Sequence, residues 1–132
     1  MFVPILEVCP SFQAAWNEFV AEWEDEPGEL PHYLALAELA RHLISLLERN
    51  ETETIRDVFL IVERWHLEGE PYVKEAATIG LLEDLQNLNL HERKTVPDDF
   101  LEFLPPETRF WWVKVTDFWE KGELIADGRK ID

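Results

Sequence analysis

The chain has 132 residues, 28 acidic against 12 basic, for a formal net charge of −16. That length suits one domain with its own core, and 46% hydrophobic residues, among them six Trp and eight Phe, exclude disorder as the overall state. The charge argues against nucleic acid, whose binding draws its affinity from cations that displace phosphate counterions, and against anionic membrane surfaces.

The start, Met1-Phe2-Val3-Pro4, lacks the basic region and long apolar run of a secretory signal. No stretch has the apolar length that a bilayer span requires. A single cysteine, Cys9, rules out an internal disulfide framework and fits a reducing compartment. The expectation is a soluble, cytoplasmic protein.

The first predicted helix follows Pro10, with Ser11 as N-cap. Phe12, Ala15, Trp16, Phe19, Val20 and Trp23 recur at helical spacing, and Glu18, Glu22 and Asp25 fall opposite. Asp25-Glu26-Pro27-Gly28 ends it. Pro31 opens a second helix that runs to about Asn50, with Tyr33, Leu36, Ala37, Ala40, Leu43, Ile44 and Leu47 inward and Leu34, Leu39 and Leu46 widening that face, as a central helix requires. A third, capped by Thr52 or Thr54, carries Ile55, Val58, Phe59, Val62 and Trp65 and stops at Gly69. A fourth starts near Pro71 and buries Val73, Ala77, Leu81, Leu85 and Leu88. Gly80 interrupts it and calls for close approach of another segment, since glycine costs about 1 kcal/mol against alanine in a helix.

Asn89 to Val96 reads as a loop, Pro97 to Leu104 as a short helix broken by Pro105-Pro106. A last helix runs from near Glu107 to Gly122. The chain beyond Leu124, residues 124–132, is polar and expected to fray. The pattern predicts a single all-α domain over residues 1–132, an up-and-down bundle or a short stack of helical hairpins with five to six helices.

Candidate chemistry is sparse. Glu63 and His66 have the Glu-x-x-His spacing that sets two metal ligands on one helical face. Its formal repeat, Glu29 and His32, sits at a helix start and cannot mirror it from a helix interior. No His-Glu-x-x-His, Cys/His cluster or phosphate-cradling glycine loop is present, so no metal, cofactor or catalytic residue is expected. Cys9 lies near a helix start, where a thiol can be activated, but a small buried thiol is the commoner role. Phe110-Trp111-Trp112 spans too much helical arc for all three rings to face one core, which makes Trp111 a candidate anchor for a partner.

The charge layout is the most specific feature. No Lys or Arg precedes Arg41, whereas Glu7, Glu18, Glu22, Glu24, Asp25, Glu26, Glu29 and Glu38 do. From Arg93 to Asp132, nine acids face seven bases. Anions crowded at the end of the first helix oppose its dipole, a local cost that invites a functional reading. Glu18, Glu22, Glu24, Asp25, Glu26 and Glu29 are therefore candidate contacts for a basic protein partner.

Val62-Glu63-Arg64-Trp65, Glu68-Gly69-Glu70, Gly80 to Asn87, Phe100 to Thr108 and Phe118-Trp119-Glu120 resemble a family of small bacterial all-helical proteins. Many of its members lie near polymorphic and contact-dependent toxins. The resemblance covers roughly the second half of the chain. It implies an immunity-type role, in which a cytosolic protein binds and neutralises a secreted toxin domain, with a basic nuclease as one candidate, and it implies no catalytic residues. The alternatives are a helical adaptor working through the Trp-rich last helix and, further off, an enzyme without a recognisable motif.

Overall fold

The computed structural model describes residues 1–28, 30–91, 95–127 and Arg129. The described residues are all-α, with no strand. Seven α-helices lie among the described residues, against the five to six expected: α1 (Val3–Val8), α2 (Gln13–Trp23), α3 (His32–Glu48), α4 (Thr52–Glu68), α5 (Pro71–Glu75), α6 (Glu83–Leu85) and α7 (Pro106–Lys121). The difference has two sources. The α1 helix is too short to show periodicity, yet Phe2, Ile5 and Cys9 are buried around it. The single fourth helix of the sequence reading is divided by a π-helical segment, Ala76–Leu82, that joins α5 to α6.

Pro10–Phe12 is a 3₁₀ turn leading into α2, and Ser11 lies within it rather than capping the helix. The Ser11 hydroxyl sits 2.8 Å from His42 Nε2 on α3 instead. Only Phe19 is fully buried on α2. Trp16 and Trp23 lie half-buried in a ladder of rings, with Trp16 4.8 Å from Phe2 and 6.1 Å from Phe19. This helix is therefore peripheral, laid on α3.

The α3 helix is central. Ala35, Leu36, Leu39, Ala40, Leu43, Ile44 and Leu46 are all buried, and its main neighbour is the π segment. Leu39 and Leu46, expected to widen the inward face, are buried, whereas Leu34, expected with them, is exposed and Leu47 is half-buried against the core. Gly80 supplies the fit: a Cβ there would lie 2.9 Å from Leu36 Cδ1 and 3.3 Å from Tyr33 Cδ1. The close approach required of Gly80 is thus made by this chain's own α3.

A Schellman turn ends α3. Asn50 takes the left-handed conformation at φ 60, Glu51 N–H donates to Leu46 O at 2.9 Å and Asn50 N–H to Leu47 O at 3.1 Å. On α4 the buried stripe is Ile55, Val58, Phe59, Val62 and Trp65, joined by His66. Neither Thr52 nor Thr54 caps this helix; Glu51 holds the N-cap position without a side-chain bond. Gly69 ends α4 because space demands it: a Cβ there would come 2.5 Å from Trp65 O.

Six of the seven π-segment residues are buried. A π turn takes one more residue than an α turn, so a wider arc faces inward between α3 and α7. Leu88, expected on the buried stripe, is exposed because α6 ends at Leu85. His91 closes that end by donating from Nε2 to Leu85 O at 2.7 Å. Pro97–Phe103 is a 3₁₀ helix that places Phe100 between Phe59 and Trp112. On α7, Trp112 and Val115 are buried, while Phe110 and Trp111 are half-buried.

Candidate functional site

Glu63 and His66 stand one turn apart on α4 and both face the start of α7. Pro105-Pro106 fixes that start, and no side chain within α7's own first turn caps it. The Glu63 carboxylate does so from across the interface. It accepts from Glu107 N–H at 2.9 Å, Thr108 N–H at 2.7 Å and the Thr108 hydroxyl at 2.8 Å. An anion at a helix N-terminus satisfies orphan donors and the dipole together.

The His66 ring lies beside this cap, with Nδ1 3.1 Å from Thr108 Oγ1 and Nε2 3.0 Å from Thr78 Oγ1. Proton counting fixes the roles. Thr108 gives its one hydroxyl proton to Glu63, so its oxygen accepts from Nδ1–H, and Nε2 then accepts from the Thr78 hydroxyl. The result is a one-directional chain from Thr78 through His66 and Thr108 to Glu63. Burial pushes the His66 imidazole down to about 4, against the opposing pull of Glu63 and Glu107, so the ring is neutral at pH 7. The Glu-x-x-His pair thus works as cap and bridge, with both ring nitrogens and both carboxylate oxygens engaged by protein groups. Of its formal repeat, Glu29 lies outside the described residues, and the His32 ring packs 6.1 Å from Phe2 and 5.8 Å from Tyr72.

Beside the network is a cavity of about 370 Å³ lined by His66, Thr78, Lys74, Glu75, Glu107, Trp111 and the chain at Ile125–Asp127. Here Trp111, the expected anchor, donates its indole N–H to Glu107 Oε2 at 3.2 Å. Of the tail expected to fray, residues 128 and 130–132 lie outside the described residues, and Ile125 is half-buried against the core. Arg129 donates to Glu107 Oε1 and Oε2 at 2.9 and 2.6 Å and lies 3.5 Å over the Phe110 ring. The guanidinium holds the Glu107 carboxyl below its ordinary range.

The acidic candidates lie elsewhere. Glu18, Glu22, Glu24, Asp25 and Glu26 are exposed along α2 and the turn after it, and Glu29 lies outside the described residues. Every ion pair among the described residues draws on a cation from Arg41 onward, and none reaches these five or Glu7. A second, larger groove of about 630 Å³ lies between α7, the chain that follows α6 and the start of the 3₁₀ helix, bordered by Leu88, Val96, Trp119, Asp98 and Glu120. Leu88 is 67% exposed and Trp119 52%.

Cys9 is fully buried, 3.6 Å from the Ser11 hydroxyl. No helix among the described residues is long and apolar enough to cross a membrane. Thr78 and Thr108 gave no signal in the sequence, because nothing in their neighbours along the chain says that three helices meet at His66.

An all-α chain with a neutral histidine clasped under its last helix and an unpaired acidic flank is the class that fold and site define. Residues 2–120 match the family model described as a domain of unknown function, DUF7674. The chain belongs to that family. Comparison with curated proteins and with solved structures finds no match.

Proposed function

We propose that this is a cytosolic binding protein of the immunity type, which takes up a basic protein partner, such as a toxin domain, on its acidic flank. The observation that carries the reading is the unpaired state of Glu18, Glu22, Glu24, Asp25 and Glu26. Exposed anions of one sign lengthen the reach of attraction, speed encounter and reject like-charged partners. They leave the core untouched, so selection for packing does not explain them.

The product of the neighbouring reading frame is the partner to test. Association rates against ionic strength should show Glu22→Lys with Asp25→Lys binding about tenfold more slowly at low salt, the gap closing as salt screens the field. Circular dichroism should show unchanged helicity. Unchanged rates across that series would sink the reading.

A second reading, a helical adaptor, draws support from the groove bordered by the exposed Leu88, Val96 and Trp119. Trp119→Ala would then remove binding with little salt dependence. Trp111 is the poorer probe, since its indole is committed to Glu107.

A further inference from the structure

Two carboxylates meet at one helix N-terminus. Glu63 occupies the cap, and Glu107, in the first turn of α7, stands beside it with its side chain 19% exposed. A helix end carries about half a positive charge, enough to offset part of one anion and not both. The Trp111 indole N–H fixes the Glu107 carboxylate, and the Phe110 ring forms a wall next to it, edge-on to Trp111 at 5.2 Å. A fixed carboxylate beside an aromatic face is the surface that suits a planar guanidinium, which can take both oxygens in parallel and stack on the ring. A guanidinium is in fact seated there. Arg129 makes the two-point contact with Glu107, a further pair with Asp127, and the stack on Phe110.

Ordinary exposed ion pairs contribute little, because two long side chains must be held still in water. Here one side is already held by the indole and the helix, so the loss of freedom falls on the cation alone. Any arginine reaching this surface would meet the same geometry.

We infer that Glu107 and Phe110 form a receptor for an arginine side chain of a basic protein partner, and that the chain's own Arg129 holds it closed until that partner displaces it. The inference rests on the basic-partner reading and adds to it a second, chemically defined contact. A tethered competitor on a short linker acts at roughly millimolar effective concentration, so Arg129 sets a threshold that only a partner also attracted elsewhere would cross. Its departure would take Asp127 and Ile125 with it and uncover the cavity beside Thr78 and Trp111.

The probe is Nα-acetylarginine amide, titrated into the full chain and followed at the Trp111 indole N–H resonance, which Trp111→Phe assigns. Arg129→Ala should bind it about tenfold more tightly than the parent, because the tethered competitor is gone. Glu107→Gln in the Arg129→Ala background should abolish that gain, and Nα-acetyllysine amide should bind Arg129→Ala more weakly than the arginine probe. Equal affinity of parent and Arg129→Ala, or a gain that survives Glu107→Gln, would overturn the receptor. Repeating the salt series with the basic partner separates the two ideas. Failure at Glu107 with slowed binding after reversal at Glu22 and Asp25 removes the receptor and leaves the acidic flank. The opposite pattern keeps the receptor and removes the flank.

Discussion

At the residue scale, His66 links the fold to pH. Its ring is held neutral, with the folded value down at about 4 against 6.5 for a free imidazole. Between these values the unfolded chain binds the proton and the folded chain does not, so stability falls as pH drops through that window. The full effect is on the order of 3 kcal/mol at pH 4. Urea unfolding of the parent at pH 7 and pH 4 should show this loss, and His66→Gln should flatten the slope while lowering stability at pH 7 through its unpaired threonine hydroxyls. An equal slope in parent and variant would refute the neutral assignment. Asp84 works the other way. Burial, and then the neighbouring Glu83, push its carboxyl up to about 6, with Arg41 opposing. At pH 7 the ionised form is held at a cost, which protonation relieves as pH falls through 6. Asp84→Asn should therefore stabilise the fold at pH 7, an advantage that shrinks as pH falls from 6 toward 4 and is gone below it. A gain that stays constant across that range would count against the assigned cause.

At the element scale, Asn50 is the joint between α3 and α4. Its φ of 60 lies in the left-handed region, where a Cβ meets the following carbonyl and where glycine alone is unopposed. Asparagine tolerates the position better than other side chains, which is why the sequence can use it to end α3. Asn50→Gly should raise stability by up to about 1 kcal/mol, and Asn50→Val should lower it by about 1–2 kcal/mol, both read from thermal unfolding. If both variants melt with the parent, the turn is not under strain. The π segment is the other informative element. Gly80 gives up helix propensity so that Leu36 and Tyr33 can sit against its backbone, and the wider turn aims Thr78 at His66. A regular α-helix through the same residues would rotate Thr78 and everything after it relative to α3 and α7.

At the scale of the whole molecule, charge and packing are divided between different parts of the chain. The core is assembled by α3, α4, the π segment and α7, with α2 added as an amphipathic outer layer. A net charge of −16 sets up self-repulsion that the compact state bears and that salt relieves. The acids at the end of α2 also oppose the helix dipole. Glu22→Lys with Asp25→Lys should thus raise the melting temperature slightly at low salt, by the equivalent of about 0.5–1 kcal/mol, while slowing capture of a basic partner. Together these would mark the acids as kept for binding at a cost to stability. A fall in melting temperature would show that they serve the fold.

The sequence by itself determined the class of fold and most of the core. Helical spacing at Leu36, Leu43, Ile55, Val58, Val62 and Trp112 places those residues inward whatever they pack against, since a stripe repeating every 3.6 residues must be buried somewhere. It also determined where the acids lie, because exposure on α2 follows from the same periodicity. What spacing cannot hold is any fact that depends on two distant segments meeting. The cap that Glu63 makes on α7 joins residues 44 and 45 apart in the chain, and the His66–Thr108 bond residues 42 apart. The metal-like spacing of Glu63 and His66 was legible, yet their partners were not, and the partners decide what the pair does. The helix α1 escaped notice because six residues carry too little periodicity, and the π turn because the spacing of its apolar residues does not separate it from an α-helix. Arg129 read as a charge in a polar tail, and only the positions of Glu107 and Phe110 turn it into a clasp. Local sequence fixes which face of a helix is buried, whereas the identity of what covers it is decided by tertiary packing, where geometry rather than composition selects the contact.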